Sequence, residues 1–168
     1  STLKLAGAFE TLLTDDERAS SLRAGLWAVD LGAAPGGWSF QFAERGLHVQ
    51  AVDNGPLADS LLATGMVQHI RADGFTWRSE RRTVEWLVCD MVEQPTRIAQ
   101  LVADWTASGR AKRCMFNLKL PMKKRFEELK RCGQITDARF KQHNDHSVLR
   151  IKHLSHDREE VTAYLAKL

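Results

Sequence analysis

The sequence predicts an α/β fold built on a mostly parallel sheet of about seven strands, with helices on both faces and an antiparallel hairpin at the C-terminal end. Three observations carry that prediction. Short apolar, β-branched runs alternate with helix-like segments, as crossover-connected parallel strands require. The first run opens into a glycine-rich turn, "GAAPGG" (32–37), that leads directly into a helix-like pattern. The last two runs are joined only by "HLSHDRE", too short for a crossover helix, so they must pair antiparallel.

In chain order the strand candidates are "LWAVDL" (26–31), "HVQAVD" (48–53), "VQHIRA" (67–72), "EWLVCD" (85–90), "CMFNLKL" (114–120), "SVLRIK" (147–152) and "EVTAYL" (160–165). The helix after Asp90 has the clearest period: Ile98, Leu101, Val102 and Trp105 follow i, i+3, i+4, i+7, and Gly109 stops it. A second helix is expected to open at Pro121, a residue suited to a first turn, with Met122, Phe126 and Leu129 as its buried stripe. There is no repeat, low-complexity tract or interdomain linker, so 1–168 reads as one domain.

Composition narrows the function classes. A chain of 168 residues, 43% hydrophobic, can bury a core without metals or disulfides. Cys89, Cys114 and Cys132 are odd in number and lack a C-x-x-C spacing, which points to a reducing, cytoplasmic setting and no zinc site. His143, His146, His153 and His156 show no ligand spacing with cysteine or acid and read as loop and surface residues; no metal is expected. No apolar run approaches the roughly 18–20 residues that cross a bilayer, and the N-terminus lacks the basic segment of a secretion signal. The expectation is a soluble, cytoplasmic, monomeric protein without membrane or DNA partners. Its net charge is only +3, but the cations cluster: Arg78, Arg81 and Arg82; Arg110, Lys112 and Arg113; Lys123, Lys124, Arg125, Lys130 and Arg131. Such clusters suit a phosphate backbone, although a solvated helix face accounts for any one of them.

Ligands of open α/β sheets bind outside the carboxyl ends of the strands, near the point where strand order reverses. Asp30, Asp53, Asp73 and Asp90 stand at or just beyond the ends of the first four runs. One such aspartate is usually a turn former or helix cap; four in succession ask for a cationic or hydroxyl-rich ligand. Asp53 after the second strand suits a ribose. The loop lacks the G-x-G-x-x-G spacing of dinucleotide sites, and Pro35 stands where that loop would offer a backbone N–H. A ligand without a pyrophosphate, such as S-adenosylmethionine, fits better than a nicotinamide dinucleotide.

"VDLGAAPGGWS" resembles the first motif of the FtsJ-like family of S-adenosylmethionine-dependent ribose 2'-O-methyltransferases. "VDNGP", "ADGF", "VCDMVEQP", "FNLKLPMKKR" and "HDREEVTAYL" are similar to the catalytic domain of those members that methylate a cytidine ribose in large-subunit (23S) ribosomal RNA. The resemblance runs from "STLKL" nearly to the C-terminus and implies a Rossmann-like methyltransferase fold. It also implies a Lys-Asp-Lys-Glu tetrad of Lys4, Asp90, Lys119 and Glu160. "REEV" offers two glutamates; Glu160 precedes the apolar strand, and alternation puts Glu159 on the opposite face. Cofactor contacts are implied for Ser1, Gly32, Ala34, Pro35, Gly36, Gly37, Asp53, Asp73 and Asp90. Related members carry a separate N-terminal RNA-binding region, so a chain that starts at Ser1 is expected to be a catalytic piece that binds cofactor competently and RNA poorly.

In this reading Lys119 acts on the 2'-hydroxyl, either as a neutral base or as a cation that steers the oxygen lone pair, with its nitrogen within about 3 Å of that oxygen. Trp27, Trp38, Trp86 and Trp105 read as packing residues, while Trp77, in "GFTWRSERR", is retained as an RNA contact. The alternatives are a 2'-O-methyltransferase acting on tRNA, an mRNA cap or another RNA, and a catalytically silent RNA-binding module of the same fold. A nucleobase N-methyltransferase is disfavoured because "DMVEQP" is not an Asn/Asp-Pro-Pro-aromatic motif.

Overall fold

The computed structural model describes residues 2–154 and 159–168; Ser1 and His156 lie outside the described residues. The elements are α1 (Thr2–Leu12), α2 (Asp15–Ser21), β1 (Trp27–Leu31), α3 (Gly37–Glu44), β2 (His48–Val52), α4 (Asp59–Leu62), β3 (Val67–Ile70), β4 (Val84–Cys89), α5 (Pro95–Ala107), β5 (Ala111–Lys119), α6 (Arg125–Gln142), β6 (Ser147–Lys152) and β7 (Glu160–Lys167). They form one seven-stranded sheet in the order β3-β2-β1-β4-β5-β7-β6. The first five strands are parallel, and β7 runs antiparallel between β5 and β6. The expected mostly parallel sheet with a C-terminal hairpin is therefore present.

Each face of the sheet carries its own core. On one, Val29, Leu31, Leu87 and Cys89 pack with Phe116 and Leu118 against Ile98, Val102 and Trp105 of α5 and Phe140 of α6. On the other, Ala28, Trp86, Val88, Met115 and Tyr164 meet Leu5, Phe9 and Leu12 of α1 and Trp38 and Phe42 of α3. All six residues of β4 are buried, which places it centrally. Full burial of each large apolar side chain stabilises by about 1.5–3 kcal/mol, so the strand alternation selects this register strongly.

Local signals position the helices. α5 starts with Pro95 and ends before Gly109 at φ +83°. α2 begins with a capping box in which Thr14 Oγ1 accepts from the Glu17 N–H and Glu17 Oε1 accepts from the Thr14 N–H. α6 departs from expectation: it begins at Arg125, after Lys124 in the left-handed region at φ 59°, and its buried residues are Cys132, Thr136 and Phe140. Met122 and Phe126 are exposed and Leu129 only half-buried. The apolar spacing is real, but only Leu129 of this stripe packs against the α5-side core; Met122 and Phe126, before and at the start of the helix, have no core beneath them. Trp77 also departs from expectation. It is half-buried, stacks on Trp105 with centroids 6.3 Å apart and packs on the α5-side core, so a ring face expected for a base is occupied.

The sheet places the functional edge. Strand order reverses between β1 and β4, and their carboxyl ends open a crevice there. β5 ends at Lys119 on this same edge. Because β7 is antiparallel, its first residue, Glu160, lies here too, paired in register with Lys119.

Candidate active site

Two adjoining cavities follow this edge and share Gly32 and Asp90. The larger, about 500 Å³, is lined by Asp53, Asn54, Asp73, Gly74, Phe75 and Val92 among others. The smaller, about 170 Å³, is lined by Thr2, Asp30, Ala33, Ala34, Pro35, Gly37 and Trp38 besides the shared pair. Glycine is required where the walls approach. A Cβ on Gly32 would run into the Met91 side chain, and one on Gly37 would sit 2.7 Å from Thr2 Oγ1. Gly36 lines neither cavity. It holds φ +123° at the N-cap of α3 with Leu61 packed where a Cβ would go, a demand of the turn itself.

The four aspartates divide by environment. Asp53 supports the loop: its Oδ2 accepts from the Ala34 N–H at 2.9 Å and its Oδ1 from the Gly55 N–H at 2.8 Å. Each oxygen retains a lone pair for the cavity it lines. Asp73 stands three residues beyond β3, exposed at the larger cavity, with Oδ1 accepting from the Phe75 N–H at 2.9 Å. Asp30 is 1% exposed and accepts from Ser39 Oγ at 2.8 Å and from the Ser39 backbone, so it anchors the start of α3 from below. Burial, reinforced by the charges of Asp90 and Asp53 and opposed by the Ser39 hydrogen bonds, pushes it up to about 7.

Asp90 lies between the two cavities at the end of β4. Burial raises its pKa, and the negative charge of Glu160 adds to that; the Asn117 amide and the Lys4 charge oppose it. Asn117 Nδ2 donates to Asp90 Oδ1 at 2.8 Å, while Thr162 Oγ1 donates to Asn117 Oδ1 at 2.7 Å. This chain leaves Asn117 one arrangement and fixes the Asp90 carboxylate. Neither Asn117 nor Thr162 was singled out from sequence. The signal was nevertheless there: an amide inside the apolar run "CMFNLKL", two residues before Lys119 and so on its face of the strand.

Register then brings the remaining candidates together. Asn117 pairs with Thr162 and Lys119 with Glu160, all four on the sheet face covered by α1. Lys4 reaches across from α1, where Leu5, Ala8, Phe9 and Leu12 are buried, and its Nζ donates to Glu160 Oε2 at 2.6 Å with both side chains largely shielded. Lys119 is exposed at the open end of this group. Glu159 is exposed and contributes only its carbonyl, which accepts from the Leu120 N–H at 2.7 Å. Lys4, Asp90, Lys119 and Glu160 thus converge on one edge.

Comparison with known proteins agrees with the fold. Fibrillarin from Aeropyrum pernix, solved with natively bound S-adenosyl-L-methionine, superposes with a TM-score of 0.65 over 97% of this chain and 74% of its own, at 17% identity. Methanococcus jannaschii fibrillarin gives 0.64 over 88% and 68%, at 16% identity. Sequence relatives are far nearer. A protein named ribosomal RNA large subunit methyltransferase M from Aromatoleum aromaticum is 66% identical over 99% of this chain, and one of the same name from Pseudoalteromonas translucida is 50% identical over 98%. The chain spans a little under half of these relatives, 45% and 46% of their lengths. The FtsJ-like methyltransferase family model matches residues 1–163. On that match and those identities, the chain belongs to the FtsJ-like methyltransferase family.

Proposed function

We propose that this chain is the catalytic domain of an enzyme that transfers a methyl group from S-adenosylmethionine to the ribose 2'-hydroxyl of a cytidine in large-subunit ribosomal RNA. The observation that carries the proposal is the Lys4–Glu160 ion pair, set in register beside Lys119 and next to the fixed Asp90 carboxylate, at the end of a cleft. The name carried by the relatives supports large-subunit ribosomal RNA as the substrate. Among the described residues no helix is long and apolar enough to cross a membrane. A monomer acting in the cytoplasm completes the reading.

The cleft fits the cofactor. Asp53 and Asp73 would hold the nucleoside in the larger cavity, and Asp90 and the α3 N-terminus would surround the amino-acid end in the smaller one, where a carboxylate favours a sulfonium and an ammonium. The Trp38 Nε1–H is buried without a hydrogen-bond partner beside this cavity, a donor suited to a polar ligand. When bound, the cofactor supplies the activated methyl. The protein's own task is to orient the 2'-hydroxyl and manage its proton. Lys119, exposed at the mouth, acts on that oxygen; Glu160, held by Lys4, lies across the strand pair from it; Asp90, locked by Asn117, faces the reacting centre. A cation beside the sulfonium would repel it, so Lys119 serves the ribose side.

Calorimetry with S-adenosylmethionine and with NAD is the direct test. One S-adenosylmethionine site and no NAD binding are expected; the reverse would remove the proposal. Asp53→Ala is expected to weaken S-adenosylmethionine binding by roughly 1.5–3 kcal/mol through loss of a charge-assisted hydrogen bond, with the Ala34 and Gly55 N–H groups released as well. Unchanged affinity by calorimetry would exclude Asp53 from the site.

A further inference from the structure

Apart from Leu168 just past the end of β7, the most exposed large apolar residues belong to segments at the carboxyl edge of the sheet. Leu3 (79% exposed) precedes Lys4, Val92 (80%) follows Asp90 by two residues, and Met122 (85%) and Phe126 (79%) follow Lys119 by three and seven. Val92 lines the larger cavity and Leu3 stands between Thr2, which lines the smaller one, and Lys4, while Met122 and Phe126 lie on the segment that leaves the same edge after Lys119. Scattered exposed apolar residues are ordinary, but a group gathered on a catalytic rim marks an interaction surface.

We infer that Met122 and Phe126 form a base-stacking element that holds a nucleobase of single-stranded RNA beside the reacting ribose, while Lys123 and Lys124 meet its flanking phosphates. This rests on the function proposed above. The loop is built to present these groups. Pro121 fixes its start, Lys124 turns it at φ 59°, and the Arg125 Nε–H donates to the Pro121 carbonyl at 3.0 Å, closing a turn that contains Met122 and leads into Phe126. A non-glycine residue held at positive φ costs on the order of 1–3 kcal/mol, so the surrounding structure determines this shape.

Charge decides the occupant. Lys119, Lys123, Lys124 and Arg125 lie within seven residues, and Lys130 and Arg131 follow on α6, against Glu127 and Glu128. An apolar protein segment laid here would have to desolvate those ammonium and guanidinium groups. Unpaired RNA offers what the surface matches: a π-face for every base and one negative charge for every phosphate. A 2'-hydroxyl brought into line with a methyl donor also needs its nucleotide held still, and stacking provides that hold without hydrogen-bond readout.

The test uses the intact enzyme and an unmethylated large-subunit ribosomal RNA transcript, with Phe126→Ala, Met122→Ala, their double variant and Phe126→Tyr. Calorimetry reads S-adenosylmethionine affinity, filter binding reads RNA affinity, and steady-state methylation separates KM for RNA from kcat. Phe126→Ala is expected to weaken RNA binding and raise KM for RNA by about five- to 150-fold, the range for loss of one base–aromatic stack, with unchanged cofactor affinity. Phe126→Tyr should restore both. Wild-type RNA affinity in the double variant would overturn the inference. So would a fall in the thermal midpoint of RNA-free Phe126→Ala enzyme that Tyr does not rescue, since a protein segment would then be the occupant. A wild-type enzyme that binds RNA but transfers no methyl refutes the proposed function, while filter binding still judges the stacking element.

Discussion

Lys119→Ala is expected to reduce single-turnover methylation by about 10² to 10⁴, the usual cost of losing a general acid–base group, while cofactor affinity stays within a factor of about two. The geometry sets this split. Lys119 closes β5 at the exposed end of the edge, opposite Glu160, and lines neither of the two cavities assigned to the cofactor. Lys119→Arg discriminates between its two roles. Arginine keeps the positive charge, cannot deprotonate in this pH range and presents a planar fork. Substantial rate in the Arg variant would identify an electrostatic positioner, and a rate near that of Ala would identify a base. If Ala itself retains most of the rate, the site is misassigned. Single-turnover reactions of the intact enzyme with ribosomal RNA, alongside calorimetry, make the measurement.

Asp30→Asn is expected to stabilise the fold at pH 8 and to flatten its pH dependence. An ordinary aspartate titrates near 3.8, whereas buried Asp30 is pushed up to about 7. Between those values the folded state keeps a proton that the unfolded chain has released. The associated stability is fully present below the unfolded value and is lost as pH rises through the folded one. Over the whole window the loss is on the order of 4 kcal/mol. Asparagine retains an oxygen to accept from Ser39 Oγ and does not titrate. Urea unfolding between about pH 4 and pH 8 should show wild-type stability declining relative to the variant across this range. Parallel curves for the two proteins would show that Asp30 ionises without penalty.

The fold was legible where burial and local spacing agree. Ile98, Leu101, Val102 and Trp105 form a stripe and all are buried, and the short link before β7 forced an antiparallel strand whose first residue reaches Lys119. The same apolar spacing held at Leu129 but misled at Met122 and Phe126, because periodicity reports an apolar face and not whether a core lies beneath it. Trp77 erred in the opposite direction: its basic neighbours suggested a surface role, but Trp105 lies across its ring.

Within the site, strand ends revealed the aspartates but not their division of labour. Asp30, Asp53 and Asp90 look alike in sequence. Only the tertiary structure shows one anchoring α3, one bracing the glycine loop and one held by an amide 27 residues away. The Lys4–Glu160 pair, separated by 156 positions, came from resemblance alone, since no local spacing encodes it.

The most direct test of the account is the chemical identity of the product. The intact enzyme is incubated with methyl-labelled S-adenosylmethionine and unmethylated large-subunit ribosomal RNA, and the RNA is digested to nucleosides for mass spectrometry. Label is expected in 2'-O-methylcytidine alone, with the neighbouring phosphodiester resistant to alkali and the rate of labelling about a hundredfold or more lower in Lys119→Ala. Label on a base, or no transfer by enzyme that binds both cofactor and RNA, would contradict the account.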